Sequence, residues 1–334
     1  MSVSELIESF VPVLGFPPED GSLFLAIMRR GVLSELLRID LEGKQPAVAH
    51  LAAMATRSGG DGVVAVVLSA EPRSFDVGQI VEAVSGELFR AGLPLAGAYV
   101  VDRLAAGGRW RSVGRREETG VLGDPAQCAM APDAVSFGRR QYRSRQELAA
   151  VVESHPNRVA KLRPLLTQAA AARGWRRAVR ASRRAAHRLA AGETLHDAEL
   201  AAIGASLLKP KVRDALIAAT VSDAERAGPA EELWTLLTRV LPAPWRAEAL
   251  VLVAIAAYVR GDGPLASAAT LAALAVDVDH QGARQLDIAL HFIGLHPEEV
   301  RRLLSPSWRH RRPGFSRLPA EVPAHVRAAA SRQL

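Results

Sequence analysis

Arg173, Arg176, Arg177, Arg180, Arg184 and Arg188 recur at steps of three and four residues. At about 100° per residue they share one face of a helix, with Arg183 at its margin. A guanidinium carries a fixed charge and a fork of donors suited to carboxylate or phosphate. An aligned row of them is a candidate interaction face for an anionic partner. The same spacing also suits a solvated face whose arginines pair with carboxylates elsewhere in the chain. Trp175, Val179, Ala186 and Leu189 are expected on the opposite, packed side. A weaker candidate ligand site gathers Ser69, Glu71, Asp102 and Arg103, which follow two apolar runs. If those runs are parallel strands, the four residues lie beyond their carboxyl ends, where α/β sheets hold ligands. Loop solvation and a surface ion pair would place them there equally well.

No catalytic or cofactor motif accompanies these groups. The nine histidines form no His-Glu-x-x-His pattern, and the single cysteine, Cys128, cannot make a zinc-binding pair. Gly59, Gly60 and Gly62 precede an apolar run. A phosphate-cradling loop needs its glycines after a strand and at a helix start. No Gly-x-Ser-x-Gly elbow is present. Cys128 is expected in a loop, with no histidine beside it to activate the thiol. Neither a cofactor nor a metal is implied.

Elements that would position the arginines and the strand ends follow from periodicity. Ser2 and Glu5 have capping-box spacing and predict a helix to Leu14, closed by Gly15. Leu23–Met28 and Val32–Ile39 read as strands, Ala47–Thr56 as a helix and Gly62–Leu68 as a strand buried on both faces. Val77–Ala91 is helical, Leu95–Val101 a strand, and Trp110–Val113 a last edge strand. The order β-β-α-β-α-β predicts a mixed or mostly parallel sheet with flanking helices. From Gly114 to Gly138 the pattern fades into a loop. After Ser144 the period is helical throughout, over about 156–190, 195–207, 210–221, 229–240, 244–260, 264–276, 281–293 and 297–304. Pro210, Pro229, Pro264 and Pro297 are expected near helix starts. Tyr258, Gly261, Asp262, Ala266, Ala273, Leu274 and Asp277 resemble the landmarks of one tetratricopeptide-like hairpin. Trp245 and Tyr258 are expected in its core.

The fold class expected is therefore α+β or α/β: a sheet domain over 1–138, an all-helical domain over 139–305, and a basic, proline-containing tail over 306–334. Charge is segregated along this plan. Residues 139–188 hold 14 basic and two acidic side chains, residues 301–334 eight and one, while the whole chain is only +7. The remainder is acidic, so internal pairing partners exist. A sequence pI near 10.2 excludes an acidic surface overall and suits a polyanionic or acidic partner. One cysteine, no signal-peptide pattern and no apolar run long enough for a bilayer predict a cytoplasmic protein without a membrane partner.

Three stretches together resemble a known family. They are Val13-Leu14-Gly15-Phe16-x-Pro18-x-Asp20, Arg109-Trp110-x-Ser112, and Pro242-x-Pro244-x-x-Ala247-x-x-Leu250 running on to Tyr258-x-x-Gly261-Asp262-Gly263. Their order and spacing over residues 5–300 are similar to the actinobacterial family described as domain of unknown function 4192. Members of that family often carry a cysteine–proline cluster after the Trp-x-Ser strand, where this chain keeps only Cys128. The resemblance implies a fold and no activity.

Three functions remain open on the sequence. One is a non-enzymatic module that binds a protein partner through its helical half and arginine face. A second is nucleic-acid binding through the basic helix of residues 173–188 and the tail Arg309-His310-Arg311-Arg312, with Trp308 for stacking. The third is a small-molecule site at the strand ends.

Overall fold

The apolar run Gly62–Leu68 is a strand with every residue buried. This holds in the computed structural model of the chain. It describes residues 1–41, 46–70, 76–114, 117–128, 140–169, 174–222 and 224–293, with backbone alone at 46–50, 57, 224–227 and 291–293. Two compact units divide between Arg145 and Gln146. Residues of the tail, 306–334, lie outside the described ones.

The first unit is a six-stranded mixed sheet. Its strands are β1 (Ser22–Arg29), β2 (Val32–Asp40), β3 (Gly62–Leu68), β4 (Leu95–Val101), β5 (Arg109–Ser112) and β6 (Thr119–Val121), in the spatial order β2-β1-β3-β4-β5-β6. Only β3 and β4 run parallel, and all other neighbours are antiparallel. A mostly parallel sheet is thereby excluded, and β6 is a strand that the sequence did not signal. Alternation sorts β3 onto two cores. Val63, Ala65 and Val67 face one cluster with Leu51 and Ala55 of α3 (Pro46–Arg57) and Val84 and Leu88 of α4 (Val77–Arg90). Val64, Val66 and Leu68 face the other, with Ile7, Phe10 and Trp110. A strand covered on both sides has no reason to alternate in polarity, which is why it reads as an unbroken apolar run.

The amino-terminal helix departs from its expected form. It is broken into α1 (Val3–Glu8) and α2 (Phe10–Leu14) around Ser9. Pro12 explains the break: it has no N–H, and its ring would meet the carbonyl four residues back in a continuous helix. The capping box is present, with Ser2 Oγ accepting from Glu5 N and Glu5 Oε2 accepting from Ser2 N. The Ser2 bonds hold the Glu5 carboxyl below its usual range. Gly15 closes α2 in the left-handed region at φ 76°, and a Cβ there would lie 2.8 Å from the Arg140 carbonyl oxygen. Cys128 is buried at the end of a short turn, Pro125–Gln127, instead of standing in an open loop.

The second unit is helical; none of its described residues is in a strand. Its helices are α5 (Arg145–Ala150), α6 (Pro156–Gln168), α7 (Trp175–Ala190), α8 (Asp197–Leu207), α9 (Pro210–Ser222), α10 (Ala224–Val240), α11 (Trp245–Val259), α12 (Gly263–Val276) and α13 (Gln281–Asp287), which runs into a π turn, Ile288–Ile293. Three expectations need correction. The long helix over 156–190 is two: Ala169 is extended after α6, and Gly174 takes φ 86° ahead of α7. Alanine has the highest helix propensity, yet Ala169 leaves the helix, so propensity does not decide its end. Pro229 lies inside α10 rather than at its start, and Pro164 inside α6. Trp245 and Tyr258 are half-buried; among the described residues the buried aromatic of this unit is Trp234, 2 % exposed.

The centre of this unit is α11, buried continuously from Ala247 to Ala257. It pairs with α12 as a helical hairpin. Gly261 makes the turn at φ 87°, and Asp262 caps α12 by accepting from Leu265 N at 3.1 Å. Small residues Ala266, Ala269 and Ala273 let the two backbones approach closely.

Candidate interaction face

Helix α7 carries six arginines and no acidic residue. Its packed stripe is made of Ala178, Val179, Ser182, Ala185 and Ala186, set against α9 and α10. These small side chains bring the helix close and leave its opposite face to solvent. Arg176, Arg177, Arg180, Arg183 and Arg184 are exposed there. Among the described residues, none of these five has a carboxylate within salt-bridge distance. Arg188, at the last turn, is the exception. It reaches Glu193 at 2.7 Å and Glu199 at 3.0 Å, and these hydrogen bonds, Glu193 first, raise its pKa. Arg173 lies outside the described residues.

Electrostatics of the helix itself make the arrangement unfavourable without a partner. Arg176 and Arg177 stand in the first turn, where the helix dipole presents its positive end. No acidic residue is in that turn, and Gly174 offers no side-chain cap. Like charges three and four residues apart repel by a few tenths of a kcal/mol per pair. Trp175 is not on the packed side as expected; it is 41 % exposed, with the Arg176 guanidinium carbon 5.0 Å from its ring centroid. Its angular position is that of the buried stripe, but as the first residue of the helix it precedes the turns that pack.

At the inner margin of the face is a small pocket of about 30 Å³. Arg183, Ala186 and His187 of α7, Leu216 and Ala219 of α9, and Pro229 and Trp234 of α10 form much of its lining. No periodicity announces this pocket, because its walls come from three helices, with Ser182 and Trp234 52 residues apart. Arg183, marginal by angle, is the one described residue of the arginine group that touches it.

The strand-end candidates have structural roles nearby. Ser69 and Asp102 do lie at adjacent ends of β3 and β4, where Ser69 N donates to Val101 O at 2.9 Å. Asp102 Oδ1 accepts from Arg109 N at 2.8 Å, and an Arg103 terminal nitrogen donates to Gly107 O at 2.9 Å. Both side chains thus close the turn from β4 to β5. Glu71 lies outside the described residues. No group of three or more His, Cys, Asp or Glu among the described residues could hold a metal ion, and no described helix is long and apolar enough to cross a membrane.

The recurrent motifs serve the scaffold. Gly15 O accepts from Tyr142 N at 2.6 Å, and Asp20 Oδ1 accepts from Ala70 N at 2.8 Å, tying loops to the sheet. Trp110 Nε1 donates to Ser4 Oγ at 2.9 Å, and Ser112 Oγ accepts from Glu118 N. None of these residues is on α7. No curated protein and no solved structure matches the chain. A family model described as Domain of unknown function (DUF4192) matches residues 4–298. That match spans both units, so the chain belongs to the DUF4192 family.

Proposed function

We propose that the helical unit is a non-enzymatic protein-interaction module whose docking surface is the arginine face of α7. One observation carries the reading: five neighbouring guanidiniums are exposed with no carboxylate in reach among the described residues, on a helix whose other side is well packed. An acidic partner would relieve their mutual repulsion and the unfavourable charge at the helix start. The single cysteine suits a reducing, cytoplasmic setting. To test the reading, Arg177, Arg180 and Arg184 are reversed to Glu in the full chain. The helical circular dichroism signal should persist, while the protein partner that the wild type retains from its host extract should be lost. Undiminished retention by the reversed, folded chain defeats the reading.

The second reading, nucleic-acid binding, draws on the exposed Trp175 with Arg176 beside it, since an indole face stacks bases and arginines meet phosphates. Salt separates the two. Binding through several phosphates weakens linearly and steeply on a log–log salt plot. A protein contact with an apolar centre responds more gently.

A further inference from the structure

The pocket beside the arginine face has a chemistry of its own. Leu216, Ala219, Ala230 and Pro229 give it apolar walls, while Arg183 and His187 stand beside them on α7. Its volume of about 30 Å³ exceeds the roughly 10–15 Å³ that one water molecule needs and leaves room for a methyl-sized group. Trp234 completes the wall. Its indole N–H is buried and has no acceptor among the described residues. A buried donor left unpaired is costly, and a ligand oxygen that reached it would remove that cost.

We propose that this pocket is the anchor site of the arginine face, and that it takes one small side chain, of alanine or serine size, from an acidic segment of a protein partner. This rests on the interaction reading above and deepens it. Carboxylates spaced three or four residues apart on a helical segment recur every 5–6 Å or so, the spacing at which arginines recur along α7. They would meet Arg177, Arg180 and Arg184 while the anchor enters the pocket and a carbonyl or carboxylate oxygen accepts a hydrogen bond from the Trp234 indole N–H. The apolar recess is what favours a peptide. A nucleic acid answers arginines through its phosphates and needs no methyl-sized hole beside them. Interfaces of proteins, by contrast, centre on a buried apolar anchor ringed by polar contacts.

The test uses the full chain and a labelled helical peptide of alanine and glutamate, with glutamates four residues apart and alanines on the same face. Anisotropy measures its binding, with poly-dT as a second probe at the same salt. Ala219→Leu, which fills the pocket from α9, should weaken the peptide roughly five- to tenfold, the worth of one or two lost methyl contacts. Ala230→Leu, from the opposite wall, should do the same, so that misfolding of one variant leaves the other to decide. In the wild type, the indole N–H resonance identified by its loss in Trp234→Phe should move as peptide is added. Reversal of Arg177, Arg180 and Arg184 should abolish binding. If reversal abolishes binding but neither filling variant weakens it and the indole resonance stays still, the face stands and the pocket inference falls. If reversal changes nothing, both fall. Tighter binding of poly-dT than of peptide, indifferent to Ala219→Leu, overturns the anchor in favour of nucleic acid.

Discussion

Arginines in two parts of the helical unit meet opposite fates. Around α11 they are paired inward. Arg260 places its guanidinium on Glu231, which is 1 % exposed, with nitrogen–oxygen distances of 2.7, 2.9 and 3.2 Å. Arg213 reaches Glu248 at 2.8 Å. Arg246, whose pKa burial lowers, donates to the carbonyls of Thr238 and Val152. On α7, five arginines of the same chemistry are exposed with no carboxylate in reach among the described residues. The contrast shows how an arginine used for stability looks in this protein: it lies against a buried acceptor. The five exposed arginines of α7 lack that mark among the described residues, which is the ground for proposing a partner outside the unit.

The sharpest way to break the comparison is to remove a paired arginine. Arg260→Ala strands the Glu231 carboxylate in the interior and should cost about 3–5 kcal/mol. Urea unfolding measures this, and a loss below about 1 kcal/mol would dissolve the distinction between the two regions. Next in size is the packed side of α7 itself. Ala185 is fully buried, and Ala185→Leu should destabilise by about 1–3 kcal/mol through overpacking, whereas Arg184→Ala on the next residue should not. Equal effects at the two positions would mean that the helix is not seated as described. The strand-end residues extend the comparison to the sheet unit. Asp102→Ala removes the acceptor that holds Arg109 N and should cost about 0.5–1.5 kcal/mol without affecting binding to the α7 face. Smallest of all is Arg180→Ala. It should change stability by less than about 0.5 kcal/mol, and in the stabilising direction at low salt, because repulsion along the helix is relieved. Added salt should erase that gain, which a thermal melt at two ionic strengths would show. Destabilisation instead would reveal an internal partner for Arg180.

Much of the sheet unit was legible because its strongest signals are local. Gly62–Leu68 reads as a buried strand from its own seven residues. Gly15, Asp20, Trp110, Gly261 and Asp262 stood out as motif members because each holds a turn or a loop in one geometry. That a motif serves the backbone also explains why it is silent about function. Direction was less legible: β1 was identified as a strand, but nothing in its residues says that it runs antiparallel to β3. The end of α6 was missed because Ala169, where it stops, has high helix propensity, and Gly174 at positive φ precedes α7.

The arginine face was visible in the sequence, since three- and four-residue spacing and a helix period are properties of one segment. Its pocket was not. Ala219 and Trp234 each read as ordinary helix residues until α7, α9 and α10 come together. What the sequence determined by itself is where most of the elements lie and which face of α7 collects charge. What only the tertiary structure decided is which arginines are neutralised. Arg260 finds Glu231 29 residues away, and Arg213 finds Glu248 35 away, while Arg177 and Arg180 find no carboxylate among the described residues. Pairing depends on distances between elements remote in the chain, and the period of a single helix carries no information about what packs across from it.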